Sequence, residues 1–178
     1  MDPAGGGRTC VPTSVRVGGI AKPALLQSLR EHDVKLNKAA EVLFDDDQFA
    51  PAAASRVIDV VCRSVADLGL HHGATYEQLT ARAAAAGLVE CPLELGPRLR
   101  LQFVDQAEGA VGFPETRGRA PPGSITIASP PLDERDETPK GFYLRRIDGV
   151  LWLRGYWSSP GNVWRPEDVL VFRLRSDG

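Results

Sequence analysis

The sequence predicts an α+β fold in which a mainly antiparallel sheet packs one of its faces against helices from the N-terminal and central parts of the chain. Signals for helices come first along the sequence, and signals for strands dominate afterwards. The predicted strands alternate apolar and polar residues, which is the pattern of antiparallel strands with one buried face. With 178 residues, of which 43% are hydrophobic, the chain is long enough to bury a core as one domain.

Changes in composition divide the chain into three parts. Residues 1–19 are rich in Gly, Pro and small polar residues, which predicts a flexible N-terminal arm. Residues 20–55 form a helical N-terminal segment, and residues 56–178 form the α+β domain.

Two short helices are expected in the N-terminal segment. Lys22-Pro23 begins the first helix, because a proline at the first helical position gives up a donor that had no partner in the helix. Asn37 is a favourable cap for a second helix, which ends near Phe44.

The α+β domain begins with a strand over residues 57–61, followed by the clearest helix of the chain. This helix starts after Thr75, whose spacing to Gln78 is that of a capping box, and it ends at Gly87.

Residues 97–103 alternate strictly between apolar and polar types, which predicts a second strand. One face of this strand is apolar and the other is basic, so that two arginines point away from the core. The inward residues are Leu99, Leu101 and Phe103, and the outward residues are Arg98, Arg100 and Gln102.

Two further strands are expected after this segment. Residues 105–123 form a loop rich in Gly and Pro, and residues 124–129 alternate as a strand. The chain ends on a strand over residues 169–175, with Arg173 and Arg175 pointing outward.

Residues 142–157 predict a β-hairpin with two chemically different faces. Asp148-Gly149 has the composition of a type I′ turn, which needs positive φ at both central residues. One face of the hairpin is apolar. The other face sets Arg145 opposite Trp152 and Tyr143 opposite Arg154, so that guanidinium groups and aromatic rings interleave.

Arginine and aromatic side chains on one open sheet face are typical of surfaces that stack bases and hold phosphates. A simpler interpretation is that the arginines cover aromatic rings, pair with nearby carboxylates and keep the sheet soluble. The candidate binding residues are Arg98, Arg100, Tyr143, Arg145, Trp152, Arg154 and Tyr156.

The leading hypothesis is a non-catalytic binding domain for an anionic partner, with single-stranded nucleic acid as the first candidate. The alternative is a small metal-independent phosphodiesterase or nuclease, in which Glu94 acts as the base beside Arg98 and Arg100, with His71 or His72 as the acid. A structural ion pair is the simpler account of Glu94. A third hypothesis is a protein interaction module whose aromatic hairpin face is covered by a partner or by a second copy of the chain.

Composition excludes several other classes. The net charge of -2 gives no overall attraction to nucleic acid, and no apolar run is long enough to cross a membrane. The three cysteines and three histidines lack the spacing of zinc sites, so we expect no metal, no cofactor and no membrane partner. An odd number of cysteines fits a cytoplasmic protein better than a disulfide framework.

The segment CPLELGPRLRLQ at 91–102, with PKGFYLRRIDGVLWLRGY at 139–156 and NVWRPEDVLVF at 162–172, resembles a family of small uncharacterised bacterial proteins. The resemblance covers roughly residues 56–174. Members are sometimes labelled helicases, but this sequence lacks the GxxxxGK[ST] loop that cradles nucleotide phosphates. The family it resembles has no established activity, so the resemblance implies no catalytic residues.

Overall fold

A computed structural model describes residues 11–109 and 120–175 of the chain. The helices of this part are α1 (Lys22–Glu31), α2 (Lys38–Asp45), α3 (Tyr76–Ala85) and α4 (Leu95–Gln102), with a 3₁₀ turn at Ala66–Leu68. The strands are β1 (Ser14–Val17), β2 (Lys35–Leu36), β3 (Arg56–Ser64), β4 (Ala74–Thr75), β5 (Leu88–Val89), β6 (Ile125–Ile127), β7 (Gly141–Ile147), β8 (Val150–Tyr156), β9 (Val163–Trp164) and β10 (Val169–Leu174).

One large mixed sheet organises the molecule, and the predicted α+β class is confirmed. Its strand order is β1-β3-β10-β6-β7-β8-β2, and β5 also pairs with the end of β10. Among the described strands all pairings of this sheet are antiparallel except β6 with β10 and β2 with β8. Strands β4 and β9 form a separate antiparallel pair.

The three helices expected from signals at their N-termini, a proline for α1 and side-chain caps for α2 and α3, are all present. Asn37 Oδ1 accepts a hydrogen bond from the Ala40 amide at 3.0 Å, as an N-cap should. Both halves of the predicted capping box of α3 form, since the Thr75 amide donates to Gln78 Oε1 and the Gln78 amide donates to Thr75 Oγ1. Local side-chain chemistry was therefore a sufficient guide to these helix starts.

The predicted strand over residues 97–103 is wrong, because Leu95–Gln102 forms helix α4. The helix brings Leu95 and Leu99, one turn apart, to the same buried face. Pro97 lies in the first turn, where its missing amide breaks no helical hydrogen bond. Gly96 lets α4 approach β7 closely, since a Cβ atom there would lie 2.8 Å from Cβ of Phe142.

The flexible arm expected over residues 1–19 is also corrected in part. Ser14–Val17 forms β1, which pairs antiparallel with β3 and buries Val15 and Val17. The alternation of these valines was a strand signal that the surrounding Gly and Pro residues obscured. Residues 1–10 lie outside the described part of the chain.

Hydrophobic clusters lie on both faces of the sheet. Val171 belongs to one cluster and its neighbours Leu170 and Phe172 belong to the other, so the clusters flank β10 on opposite sides. Apolar side chains of α1, α2 and α4 pack in the first cluster, whereas those of α3 pack in the second. The predicted packing of all helices on one face is therefore corrected, and the centre of the second face is covered.

Three of the predicted strands are present near their expected positions. The strands expected at residues 57–61, 124–129 and 169–175 are β3, β6 and β10. Of the predicted loop at 105–123, residues 110–119 lie outside the described part.

The cysteines differ from the expected set of free thiols. Cys91 carries a free, buried thiol, but Cys62 is disulfide-bonded. Among the residues that the structure describes, no helix is long and apolar enough to cross a membrane.

Candidate functional site

The β7–β8 hairpin has the register that the sequence predicts. Asp148 and Gly149 form the turn with φ values of 51° and 76°, both positive as a type I′ turn requires. Arg145 pairs with Trp152, and Tyr143 pairs with Arg154. The chemical difference between the two hairpin faces is therefore confirmed.

Arg154 lies between two aromatic rings of the same hairpin face. Its Cζ atom is 5.9 Å from the ring centroid of Tyr143 and 5.3 Å from that of Trp152. Both distances fall within the range of cation–π contacts. The predicted interleaving of guanidinium and ring is confirmed at this position, where the two rings hold the guanidinium in place.

Only part of this face is open to solvent. Tyr143 is 8% exposed and Arg145 is 6% exposed, whereas Trp152, Arg154 and Tyr156 are half-buried. The segment before residue 110 helps to cover Arg145, because a Cβ atom on Gly109 would lie only 3.5 Å from Arg145 Nε.

The edge strand β2 adds an exposed positive charge to this face of the hairpin. Lys35 is exposed and pairs in parallel register with Trp152. We call Lys35, Trp152 and Arg154 the hairpin rim. This rim is smaller than the predicted surface, but it retains an aromatic ring, a guanidinium and an ammonium group.

Arg98 does not lie on the sheet, because it belongs to α4. Its Nε atom donates to the Arg16 carbonyl at 2.9 Å, and Gln102 bonds both the Arg16 carbonyl and the Arg16 amide. These two helix side chains therefore satisfy backbone groups along β1, which is an edge strand of the sheet. Arg98, which the sequence analysis proposed for phosphate binding, therefore bonds this edge strand together with Gln102.

Arg100 is likewise misplaced in the predicted surface and is 0% exposed. Its Nη1 donates to Gln106 Oε1 at 2.6 Å, and its Nη2 donates to the Phe103 carbonyl. Burial, with a further contribution from the charge of Arg146, lowers the pKa of the Arg100 guanidinium to about 10. Arg100 therefore ties α4 to the segment that follows it.

Arg173, which the sequence also placed on an open face, bonds the backbone instead. Its Nε atom donates to the Glu90 carbonyl at 2.9 Å.

The residues of the alternative enzyme hypothesis are not brought together. Glu94 is buried, and its two carboxylate oxygens accept from the Gly18 amide at 2.8 Å and the Ala52 amide at 3.0 Å. His71 and His72 are exposed in the loop before β4. Within the described ranges no hydrogen bond or ion pair joins either histidine to Glu94. This geometry favours a structural role for Glu94, although the predicted ion pair is replaced by bonds to backbone amides.

A second feature of the same sheet face was not predicted. A cavity of about 360 Å³ lies beside the end of β8, and Tyr76, Tyr156 and Trp164 line it. The sequence analysis singled out Tyr156 only for the basic face. These aromatic residues come from α3, β8 and β9, so no local spacing in the sequence connects them.

Comparison with known proteins does not identify the chain, since no family model, curated protein or solved structure matches it. The resemblance to the small bacterial family therefore stays a prediction. Over residues 11–109 and 120–175, no three His, Cys, Asp or Glu residues cluster in a way that could hold a metal ion.

Proposed function

We propose that the protein is a non-catalytic binding domain whose hairpin rim, Lys35, Trp152 and Arg154, binds an anionic partner. The observation that carries this proposal is the position of Arg154 between the rings of Tyr143 and Trp152. A guanidinium that two aromatic rings already position loses little conformational freedom when it binds an anion. The exposed ammonium of Lys35 adds a second positive charge on the neighbouring strand.

Single-stranded nucleic acid is the first partner to test. It supplies phosphates for Lys35 and Arg154 and unpaired bases that can stack on an aromatic ring such as Trp152. The half-exposed indole of Trp152 lies on the same sheet face as Arg154, because residues two apart on a strand point the same way. A base and its phosphate could therefore be bound by adjacent groups of the rim.

The structure offers less support for the enzyme alternative. A general base needs an accessible lone pair, but both carboxylate oxygens of Glu94 accept hydrogen bonds from backbone amides. Arg98 and Arg100 also have their own backbone or side-chain partners.

The test is the salt dependence of binding to a labelled single-stranded oligonucleotide. Each neutralised phosphate contributes about -0.7 to the slope of log K against log salt concentration. We expect Lys35→Gln to reduce the magnitude of this slope, because it removes one charge. Trp152→Ala should weaken binding by roughly 1 to 3 kcal/mol while keeping the slope, because it removes a stacking ring and leaves the number of positive charges unchanged.

Arg56→Gln is the matched control. Arg56 is exposed on β3, which lies near the opposite edge of the sheet from β8 and β2. It removes the same charge as Lys35→Gln but should leave the slope unchanged. Equal effects of the two substitutions would show that net charge, not the rim, controls binding. If the protein binds no oligonucleotide at low salt, the nucleic-acid proposal is wrong and a protein partner for the rim becomes the next hypothesis.

A further inference from the structure

The cavity beside the end of β8 has the size of a small-molecule site. Its volume of about 360 Å³ falls in the range of about 300 to 1,000 Å³ that is usual for ligand pockets. The rings of Tyr76 and Trp164 have centroids 6.2 Å apart, and those of Tyr156 and Trp164 are 5.7 Å apart and nearly perpendicular. Trp164 thus contacts both tyrosine rings and joins the three into a continuous aromatic wall.

Two buried polar groups of the lining have no partner among the residues that the structure describes. Ser129 is 1% exposed and Trp164 is 5% exposed, yet within this part of the chain Ser129 Oγ and Trp164 Nε1 make no hydrogen bond. Native proteins pair nearly all such groups, because an unmet buried donor is costly. Both residues line the cavity, but the two atoms are themselves buried, so a ligand that carries an acceptor oxygen would bond them after a small shift of these side chains.

The cavity also lies in a negative electrostatic environment. Tyr76 Oη donates to Glu90 Oε1 at 2.7 Å, and within the described ranges the Glu90 carboxylate forms no ion pair, although Arg173 donates to the Glu90 carbonyl. Burial raises the pKa of both Tyr76 and Tyr156, and the charge of Glu90 raises both pKa values further. The carboxylate behind the aromatic wall therefore acts on two of its three rings.

The other charged groups of the lining leave this environment negative. Glu77 and Glu134 are exposed at its edge. Lys140 also lines the cavity and adds one positive charge, which the two glutamates outnumber; its Nζ atom donates to the carbonyl oxygens of Asp133 and Arg135 at 3.1 and 2.6 Å.

We propose that this cavity binds a small organic cation that also carries an acceptor oxygen. The cationic group would lie against the rings of Tyr76 and Tyr156, where the ring faces and Glu90 attract positive charge. The oxygen would accept from Trp164 Nε1 or bond Ser129 Oγ. This site lies outside the hairpin rim and prefers the opposite ligand charge, so it goes beyond the proposed function.

The probes are choline, ethanolamine and the neutral isostere of choline in which carbon replaces nitrogen. All three carry a hydroxyl oxygen, and choline and its isostere have nearly the same shape. Calorimetric titration of the full chain should show at least one of the two cations binding about tenfold more tightly than the isostere, as expected for a desolvated cation–π contact. Equal binding of the cations and the isostere, or no binding of any probe, would overturn the proposal.

Glu90→Gln separates the charge from the shape of the cavity. The glutamine can still accept the hydrogen bond from Tyr76, so the wall is preserved while the negative charge is lost. The affinity for the bound cation should fall severalfold, and the isostere should be unaffected. Glu31→Gln, at the exposed end of α1, is the matched control and should change neither. An unchanged cation affinity in Glu90→Gln would contradict the electrostatic part of the argument.

Trp164→Phe tests the unpaired donor, because it keeps an aromatic ring and removes the indole N–H. Binding of all probes should weaken, and circular dichroism should confirm that the variant is folded. Trp152→Ala should leave cation binding unchanged, so failure of the cavity proposal and failure of the rim proposal can be told apart.

Discussion

Asn37 joins helix α2 to strand β8, and its replacement should be unusually destabilising for a half-buried residue. Its Oδ1 atom accepts from the Ala40 amide at 3.0 Å and from the Gly155 amide at 2.8 Å. Its Nδ2 atom donates to the Gly155 carbonyl at 3.0 Å. The side-chain amide thus caps the helix and continues the pairing of β2 with β8 by one residue beyond Leu36.

Asn37→Ala removes these three hydrogen bonds together. Loss of the cap costs about 1 kcal/mol, and loss of the two bonds to Gly155 costs about 1 kcal/mol each. We therefore expect the free energy of unfolding to fall by about 3 kcal/mol. For a domain of this size the melting temperature should fall by roughly 6 to 12 °C.

Asn162→Ala is the matched control for this substitution. Asn162 is also half-buried, but no hydrogen bond of its side chain occurs within the described residues. Urea denaturation of both variants, with thermal melts followed by circular dichroism, measures the difference. If the two variants unfold within about 0.5 kcal/mol of each other, the argument that Asn37 clamps β8 to α2 is refuted.

Two further predictions concern the buried side chains of Glu94 and Cys91. Glu94→Gln should lower the free energy of unfolding by about 3 kcal/mol, because its NH₂ group would replace one of the two oxygens that accept from backbone amides. An unchanged urea midpoint would contradict the role of Glu94 in holding these two amides. Burial raises the pKa of the Cys91 thiol from 9.0 to about 12. The unfolded chain therefore loses this proton first, and stability should fall as the pH rises from about 9 to 12. Cys91→Ala should show a shallower fall in urea midpoints, and identical slopes would show that the thiol is not involved.

Features encoded by neighbouring residues were the ones that the sequence could predict. The Asp148-Gly149 turn and the Asn37 and Thr75 caps depend on contacts within a few positions, and the structure confirms each of them. The alternation around Leu99 was misleading, because a short apolar segment can fit both a strand and a helix. The deciding contact, the close approach of Gly96 to Phe142, joins residues far apart in the chain.

The candidate site shows the same limit. The contact of Arg154 with two rings could be predicted from the pairing within the hairpin. The burial of Arg145 could not, because the segment that ends at Gly109 covers it and lies outside the hairpin. The cavity was missed because Tyr76, Ser129 and Trp164 come from three separate parts of the chain. Only the tertiary fold brings them together, and their unpaired atoms cannot be recognised from residue types.

Strand β8 connects the two proposed sites through one alternating face. Trp152, Arg154 and Tyr156 follow each other at every second residue, so the rim and the cavity wall share one side of the same strand. Arg154 lies only two residues from Tyr156, about 7 Å along the strand, which is within the Debye length of about 8 Å at physiological ionic strength. The positive charge of the rim and the negative groups of the cavity therefore interact. An anion bound at the rim and a cation bound in the cavity would accordingly attract each other across one sheet face.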